Sequence, residues 1–205
     1  GLPQKQIGQT GKLSAFTVRA AIKLRDRQRK NKTQRLAPVL AKNKNTPRHA
    51  AFFAFRAMIT TILSPHQQIF LKLFKDTPLV KNFYLSGGTA LSEYYFHHRV
   101  SEDLDFFSSA PFSLRDVQPF INKIKLKLNF DRVEYKKLYD RHIFFFKNRE
   151  TFKTEFTLYP FLAIGKRSLK EGIVIDSLDD IAANKFFSLF DRNEIKDKID
   201  LYFLF

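Results

Sequence analysis

Asp103 and Asp105 stand one residue apart in the stretch DLDFF (103–107), and their spacing sets the chemistry open to this chain. On a strand, residues i and i+2 project from one face, about 6.5–7 Å apart along the chain. Two carboxylates so placed repel unless a positive charge stands between them. A divalent cation suits that place, because Mg2+ takes a few carboxylates together with substrate phosphates. Two-metal sites activate an attacking oxygen and stabilise a leaving one in phosphoryl transfer. Leu104 and Phe106 would then point the opposite way, into a core. A solvated edge strand fits the same pattern, since acids are depleted in strands but tolerated at edges. The pair alone leaves both readings open.

Glu155, in KTEFTLYPF (153–161), lies between Thr154 and Phe156 in an apolar context. From a neighbouring strand it could complete a three-carboxylate metal site; paired with Lys153 or another cation it would be an ordinary strand glutamate. Gly87-Gly88 opens GGTALSEYYFHHRVSEDLDFF (87–107). Glycines at a strand end let backbone approach a ligand closely and allow positive φ. A helix starting beside them presents unpaired N–H groups and a partial positive charge, a corner suited to phosphate. A tight strand-to-helix turn without a ligand explains the pair equally well.

The surrounding periodicity supplies elements able to hold these groups. Ser64-Pro65-His66-Gln67 predicts a capped helix start, with Ile69, Phe70, Leu73 and Phe74 as its apolar face. FYLSG (83–87) predicts a short buried strand, Thr89 to His97 a helix with Leu91, Tyr94 and Tyr95 inward, and 103–107 a strand. Ser113 with Asp116 caps a helix carrying Leu114, Val117, Phe120, Ile121, Ile124 and Leu128 at helical spacing. Residues 130–161 read as three strands rich in aromatic and β-branched residues. Within them IFFFKN (143–148) suits a buried strand better than a base-stacking platform, because exposed consecutive aromatics would aggregate. Ser177 with Asp180 opens a helix with Leu178, Ile181, Ala182, Phe186 and Leu189 on one side, and a last helix runs from about Glu194 to the end. His97 and His98 are about 100° apart on a helix, a poor chelating pair, and read as surface or turn residues. The order is helix, strand, helix, strand, helix, three strands, two helices. It predicts an α/β (α+β) domain with a mixed sheet and C-terminal helices.

Composition bounds the rest. The 205 residues, 44% of them hydrophobic, suffice for one domain with a real core. The absence of cysteine excludes disulfides and thiolate metal sites and suits a reducing, cytoplasmic setting. No apolar run is long enough to span a membrane; AAFFAFRAMITTIL (50–63) is broken by Arg56. The net charge of +16 invites a nucleic-acid reading. Yet residues 1–57 hold 14 Lys and Arg against the single acid Asp26, and the remainder 22 against 19 acids. Met58 is the chain's one methionine, and MITTILSPHQQIFLKLF after it reads like a natural beginning. The functional domain is therefore expected over 58–205. Residues 1–57 would be a leader, an upstream translated stretch or a non-native extension; a basic arm for RNA and a transit peptide are the other readings.

Taken in order, GGTAL, then RVSEDLDFF with Arg99, Ser101, Asp103 and Asp105, resemble the first motif of the AbiEii/AbiGii-type nucleotidyltransferase toxins, within the polymerase-β-like nucleotidyltransferase superfamily. KTEFTLYPF resembles that family's next strand. SLDDIAANKFFSLFDRNEIKDKIDLYFL resembles its C-terminal motif, with Lys185, Arg192 and KDKIDLY in matching places. The resemblance implies a mixed-sheet nucleotidyltransferase core. It implies transfer of a nucleoside monophosphate from an NTP, with Mg2+ or Mn2+, to an acceptor such as tRNA, beside a cognate antitoxin and often in defence against phage. Gly87, Gly88 and Thr89 would cradle the triphosphate, with Ser101 and Arg99 bracing the turn. Asp103, Asp105 and Glu155 would hold metal, Lys185 would neutralise phosphate, and Asp197 would orient a base or Lys185. Asp200 would cap or pair with Lys196 four residues earlier. Where the family pattern often has aspartate, this chain has Glu155. The chain stops at Phe205, directly after the last motif, where family members usually continue, so a truncated copy is expected. An idle RNA-binding or antitoxin-bound remnant and a small-molecule nucleotidyltransferase are the alternative readings.

Overall fold

The computed structural model describes residues 61–192 and 194–205; the basic stretch 1–57 and the domain start expected near Met58 lie outside them. The elements that position the site belong to the compact unit Thr61–Phe203. Helix α1 (Pro65–Phe74) starts where the sequence signals it. The Ser64 hydroxyl accepts from the Gln67 N–H at 3.2 Å, and Gln67 Oε1 accepts from the Ser64 N–H at 2.8 Å, satisfying two donors otherwise left open. A 3-10 turn (Pro78–Lys81) leads to β1 (Tyr84–Ser86), and α2 (Gly87–Leu91) follows with no loop between. A π-helical turn (Ser92–Phe96) ends at His97, which takes a left-handed φ of 50°. Then come β2 (Leu104–Ser108), α3 (Leu114–Lys127), β3 (Arg132–Leu138), β4 (Arg141–Lys147) and β5 (Thr151–Leu158). A small hairpin of β6 (Ser168–Lys170) and β7 (Ile173–Ile175) precedes α4 (Leu178–Asp191) and α5 (Ile195–Leu204).

Among the described residues one sheet runs in the order β3-β4-β5-β2-β1-β7-β6. β2 lies parallel to β5 and antiparallel to β1, while β1 is parallel to β7; the remaining neighbours are antiparallel. The mixed sheet and the C-terminal helices are those expected.

The core is built on one face of this sheet. On β2 burial alternates, with Leu104, Phe106 and Ser108 inside and Asp105 and Phe107 less covered. Phe106 stacks on Phe156 of β5 at 5.2 Å between centroids and lies 4.3 Å from Phe74 of α1. Phe70 of α1 meets Phe120 of α3 edge-on at 4.9 Å. All five rings are at most 4% exposed, and burying each is worth about 1.5–3 kcal/mol. They hold α1 and α3 against the sheet and leave its other face for polar groups. Ile143, Phe144 and Phe146 are buried as well, so IFFFKN is the buried strand expected.

Some details differ from expectation. β6 and β7 are additional strands. Each spans three residues, too short for an alternation to show; they join through Glu171-Gly172 at φ 50° and 84°, a hairpin turn of the positive-φ kind. The helix expected from Thr89 begins at Gly87 and changes winding at Ser92. The inner side of α1 is Gln67, Phe70, Leu71 and Phe74, with Ile69 41% exposed. Gln67 is drawn in to donate to the Ser101 carbonyl at 2.8 Å, a polar tether that an apolar pattern does not reveal.

Candidate active site

Ser86 of β1 lies opposite Asp105 of β2, and Asp105 lies opposite Glu155 of β5. Residues in register share a face of the sheet. Asp105 and Glu155 therefore stand side by side on the face away from the aromatic core, and Asp103 joins them two residues along. The chain corner after β1 closes on this group. Gly87 has φ +71°, and a Cβ there would collide with the Asp105 carboxylate. A Cβ on Gly88 would sit 2.6 Å from Arg99 Nη2 and 2.8 Å from Ser101 Oγ. Glycine is required at 87 by close approach and by conformation, whereas at 88 a Cβ would have to displace the Arg99 and Ser101 side-chain tips.

Each acid has a distinct environment. Burial first, and then the adjacent Glu155, push Asp105 up to about 6. Asp103 receives Lys153 Nζ at 2.7 Å. Glu155 is 4% exposed. It accepts from Arg141 through Nε and Nη2, the latter at 2.7 Å, and from the Thr157 hydroxyl at 2.8 Å. Burial works to raise its pKa, but the Arg141 and Thr157 hydrogen bonds prevail and hold it below the ordinary glutamate value. Thr89 is fully buried, and its hydroxyl donates to the Asp103 carbonyl. That bond pins the start of β2 to α2.

A second charged network stands beside the acids. Lys185 of α4 reaches Asp197 Oδ1 at 3.1 Å and Asp200 Oδ2 at 2.8 Å, both on α5. Arg192 donates to the two Asp197 oxygens at 2.8 and 3.1 Å. Arg99 donates to the two Asp200 oxygens at 2.7 and 2.8 Å, and His98 Nε2 lies 2.7 Å from Oδ1. Three cationic or donor groups on one enclosed carboxylate hold the Asp200 pKa well below the usual range despite its burial. The expected Asp200–Lys196 pair is not formed; Lys196 goes to Glu194 at 2.8 Å. His98 is not a surface residue either, its side chain being fully enclosed against Asp200. A helix-spacing rule sees only partners on the same helix, whereas those of Asp200 come from the segment before β2, His98 and Arg99, and from Lys185 of α4.

A cavity of about 400 Å³ opens between the two networks. Its lining sets six cations, Arg99, Arg141, Lys153, Lys185, Arg192 and Lys196, against Glu102, Asp103 and Asp105. A polyanion therefore complements the site as a whole, and a divalent cation complements its acidic edge. The oxygen donors of Asp103 and Asp105 suit Mg2+, and the Asp105 pKa, raised first by burial and then by Glu155, marks a carboxylate whose ionised form such a cation would stabilise. Glu155 has its oxygens turned to Arg141 and Thr157. Among the described residues no three or more His, Cys, Asp or Glu side chains converge as a ready metal cage.

Most of the residues singled out in the sequence are thus brought together, but Thr89, expected to cradle the triphosphate, is fully buried with its hydroxyl on the Asp103 carbonyl and does not line the cavity. Gly88, Ser101, Asp103, Asp105 and Lys185 line the cavity; Gly87 and Glu155 back the acids, and Asp197 braces Lys185. Arg141 was not singled out, and Lys153 was expected only as a partner for Glu155; it goes to Asp103 instead, and Arg141 is the cation on Glu155. Nothing local in RHIFFFK (141–147) marks Arg141, whose role depends on the pairing of β4 with β5.

A sequence model of the AbiEii nucleotidyl transferase toxins of type IV toxin–antitoxin systems matches residues 69–205. An Aquifex aeolicus protein, aq_aa25, is 31% identical over 144 residues, which cover 69% of this chain and 66% of that protein. The crystal structure of JHP933 from Helicobacter pylori is similar with a TM-score of 0.50 at 25% identity, over 68% of this chain and 62% of that one. A second H. pylori structure, described as a nucleotidyltransferase, gives a TM-score of 0.50 at 26% identity, over 69% of each chain. The chain thus spans about two thirds of the length of these relatives.

Proposed function

The chain belongs to the AbiEii nucleotidyl transferase toxin family, and from that premise we propose that it transfers a nucleoside monophosphate from an NTP to tRNA, with Mg2+ held at Asp103 and Asp105. The observation that carries this reading is the cavity itself, in which Asp103, just before β2, and Asp105 on it face a wall of cations beside Gly88. The triphosphate would lie on Gly88 and against Lys185, Arg192 and Arg141, whose charges balance its own. Bound Mg2+ would supply electrophilic activation of the reacting phosphate. The acceptor hydroxyl oxygen forms a bond to the α-phosphorus, the bond from that phosphorus to the bridging oxygen breaks, and pyrophosphate departs with the electron pair. The hydroxyl proton passes to solvent. Glu155 would serve as the third acid, exchanging Arg141 for metal, and Lys153 would leave Asp103 for phosphate. Asp197 positions Lys185. As a type IV toxin the protein would act in the cytoplasm beside a cognate antitoxin, and Mn2+ would substitute for Mg2+. Among the described residues no helix is long and apolar enough to cross a membrane.

The test is incubation with Mg2+, each labelled NTP and total tRNA, beside the Asp103→Ala/Asp105→Ala protein. Label in RNA with the wild type alone supports the reading. Salt-dependent RNA binding without transfer, equal in both proteins, would make the chain a binding module instead.

A further inference from the structure

We propose that the open face of β3, β4 and β5 is the track by which a single-stranded RNA 3′ end reaches the cavity, an assignment that rests on the nucleotidyl-transfer reading above. Strand register puts Arg132 and Lys136 of β3, Arg141, Phe145 and Lys147 of β4, and Lys153 of β5 on the face that carries Glu155 and Asp105. The opposite face of the same strands is apolar, with Phe144, Phe146, Phe152 and Phe156 buried in the core. Of the Lys and Arg residues on these strands only Lys137 lies on that opposite face; the others form a row that ends at the cavity, where Arg141 and Lys153 are part of the lining.

β3 is an edge strand, and lysines on an edge are ordinarily explained as protection against pairing with another chain. That explanation does not reach Arg141, Lys147 and Lys153, which sit on interior strands. Lys147 Nζ lies 5.6 Å from the centroid of the half-buried Phe145 ring, an aromatic surface with a cation beside it. Cations interleaved with an aromatic face are what a single strand needs, charge for its phosphates and a plane for a base. Three strand spacings separate β2 from β3, about 14 Å, so the track is short and suits a strand end. Glu134 interrupts it, 3.1 Å from Arg132 and 4.0 Å from Lys147. Such exposed pairs are weak in water, and phosphate can displace the carboxylate.

The full chain is titrated into a labelled single-stranded RNA oligonucleotide with a free 3′ hydroxyl, at several salt concentrations, and compared with Arg132→Ala/Lys136→Ala/Lys147→Ala. The triple variant is expected to bind RNA about tenfold or more weakly and to lose about 2 from the slope of log K against log salt, with NTP affinity unchanged. Glu134→Gln, which leaves every cation in place, is expected to bind RNA more tightly. Wild-type RNA affinity and slope in the triple variant, with no gain in Glu134→Gln, would overturn the track. Because binding is read without turnover, the two proposals separate. A wild type that transfers no label yet shows these shifts sinks only the enzyme reading; one that transfers label while the variants bind RNA as it does sinks only the track.

Discussion

Gly87 and Asp105 share one space: at φ +71° the glycine turns so closely to the carboxylate that a Cβ at position 87 would overlap Asp105 Oδ2. The turn that starts α2 and the acid that ends the cavity are therefore shaped by a single contact.

Substitution at the two glycines is expected to differ. Gly87→Ala meets both an unfavourable backbone, about 1–2 kcal/mol, and the Asp105 carboxylate, so stability and transfer should fall together. Gly88→Ala meets only the tips of Arg99 and Ser101, which can shift. Thermal melts and transfer assays on the pair check this; equal losses of stability would contradict it.

Asp105→Asn should make the metal-free protein more stable at pH 7.5 while costing transfer on the order of a hundredfold or more. Burial raises the folded pKa of Asp105 to about 6, above its unfolded value near 3.9. The stability tied to its proton is complete below about 3.9 and is lost as pH rises through about 6. The amide cannot ionise, so it escapes that loss, which is on the order of a few kcal/mol. Melts in a chelator at pH 7.5 and pH 4 should show the advantage at the first pH and none at the second.

Mg2+ should raise the melting temperature at pH 7.5 and hardly at pH 5, because protonation of Asp105 below about 6 competes with metal. A saturating ligand at about 100 times its Kd adds about 2.7 kcal/mol. Asp103→Ala/Asp105→Ala should show no Mg2+ response at either pH.

Arg141→Gln strips Glu155 of its guanidinium partner and leaves a buried carboxylate short of hydrogen bonds, at a cost of about 1–3 kcal/mol. If Glu155 takes metal, Mg2+ should restore more stability to this variant than it adds to the wild type. Melts with and without Mg2+ decide; an equal gain in the two proteins would remove Glu155 from the metal site.

Asp200→Asn should destabilise by about 3–5 kcal/mol, since it leaves Arg99 and Lys185 enclosed without their shared counter-charge. The lowered pKa of Asp200 gives stability that is present above the ordinary carboxylate value and fades as pH falls below it towards the folded one. Wild-type melting temperature should therefore drop more steeply below pH 4 than that of the variant.

Much of this was legible in the residues. DLDFF alternates between core and cavity, Ser64, Ser113 and Ser177 open their helices, and Glu155 lies beside Asp105 as its mid-strand position suggested. Composition and periodicity are local signals and they report local structure well. The parts that escaped are those created by distant pairing. Arg141 reaches Glu155 only because β4 folds back on β5, and His98 and Arg99 meet Asp200 across about a hundred residues of chain. Gln67, a polar residue inside α1, is explained only by the Ser101 carbonyl it satisfies.

The parallel alignment of β2 with β5 has an evolutionary corollary. Sliding β5 by one position would bring Thr154 and Phe156 out beside Asp105 and drive Lys153 and Glu155 among the phenylalanines, because side chains alternate along a strand. Reactive surface and hydrophobic interior are thus locked to one setting. Mutations that loosen the packing of Phe106 on Phe156 should erode activity without touching any polar residue, and drift in either layer is policed by the other.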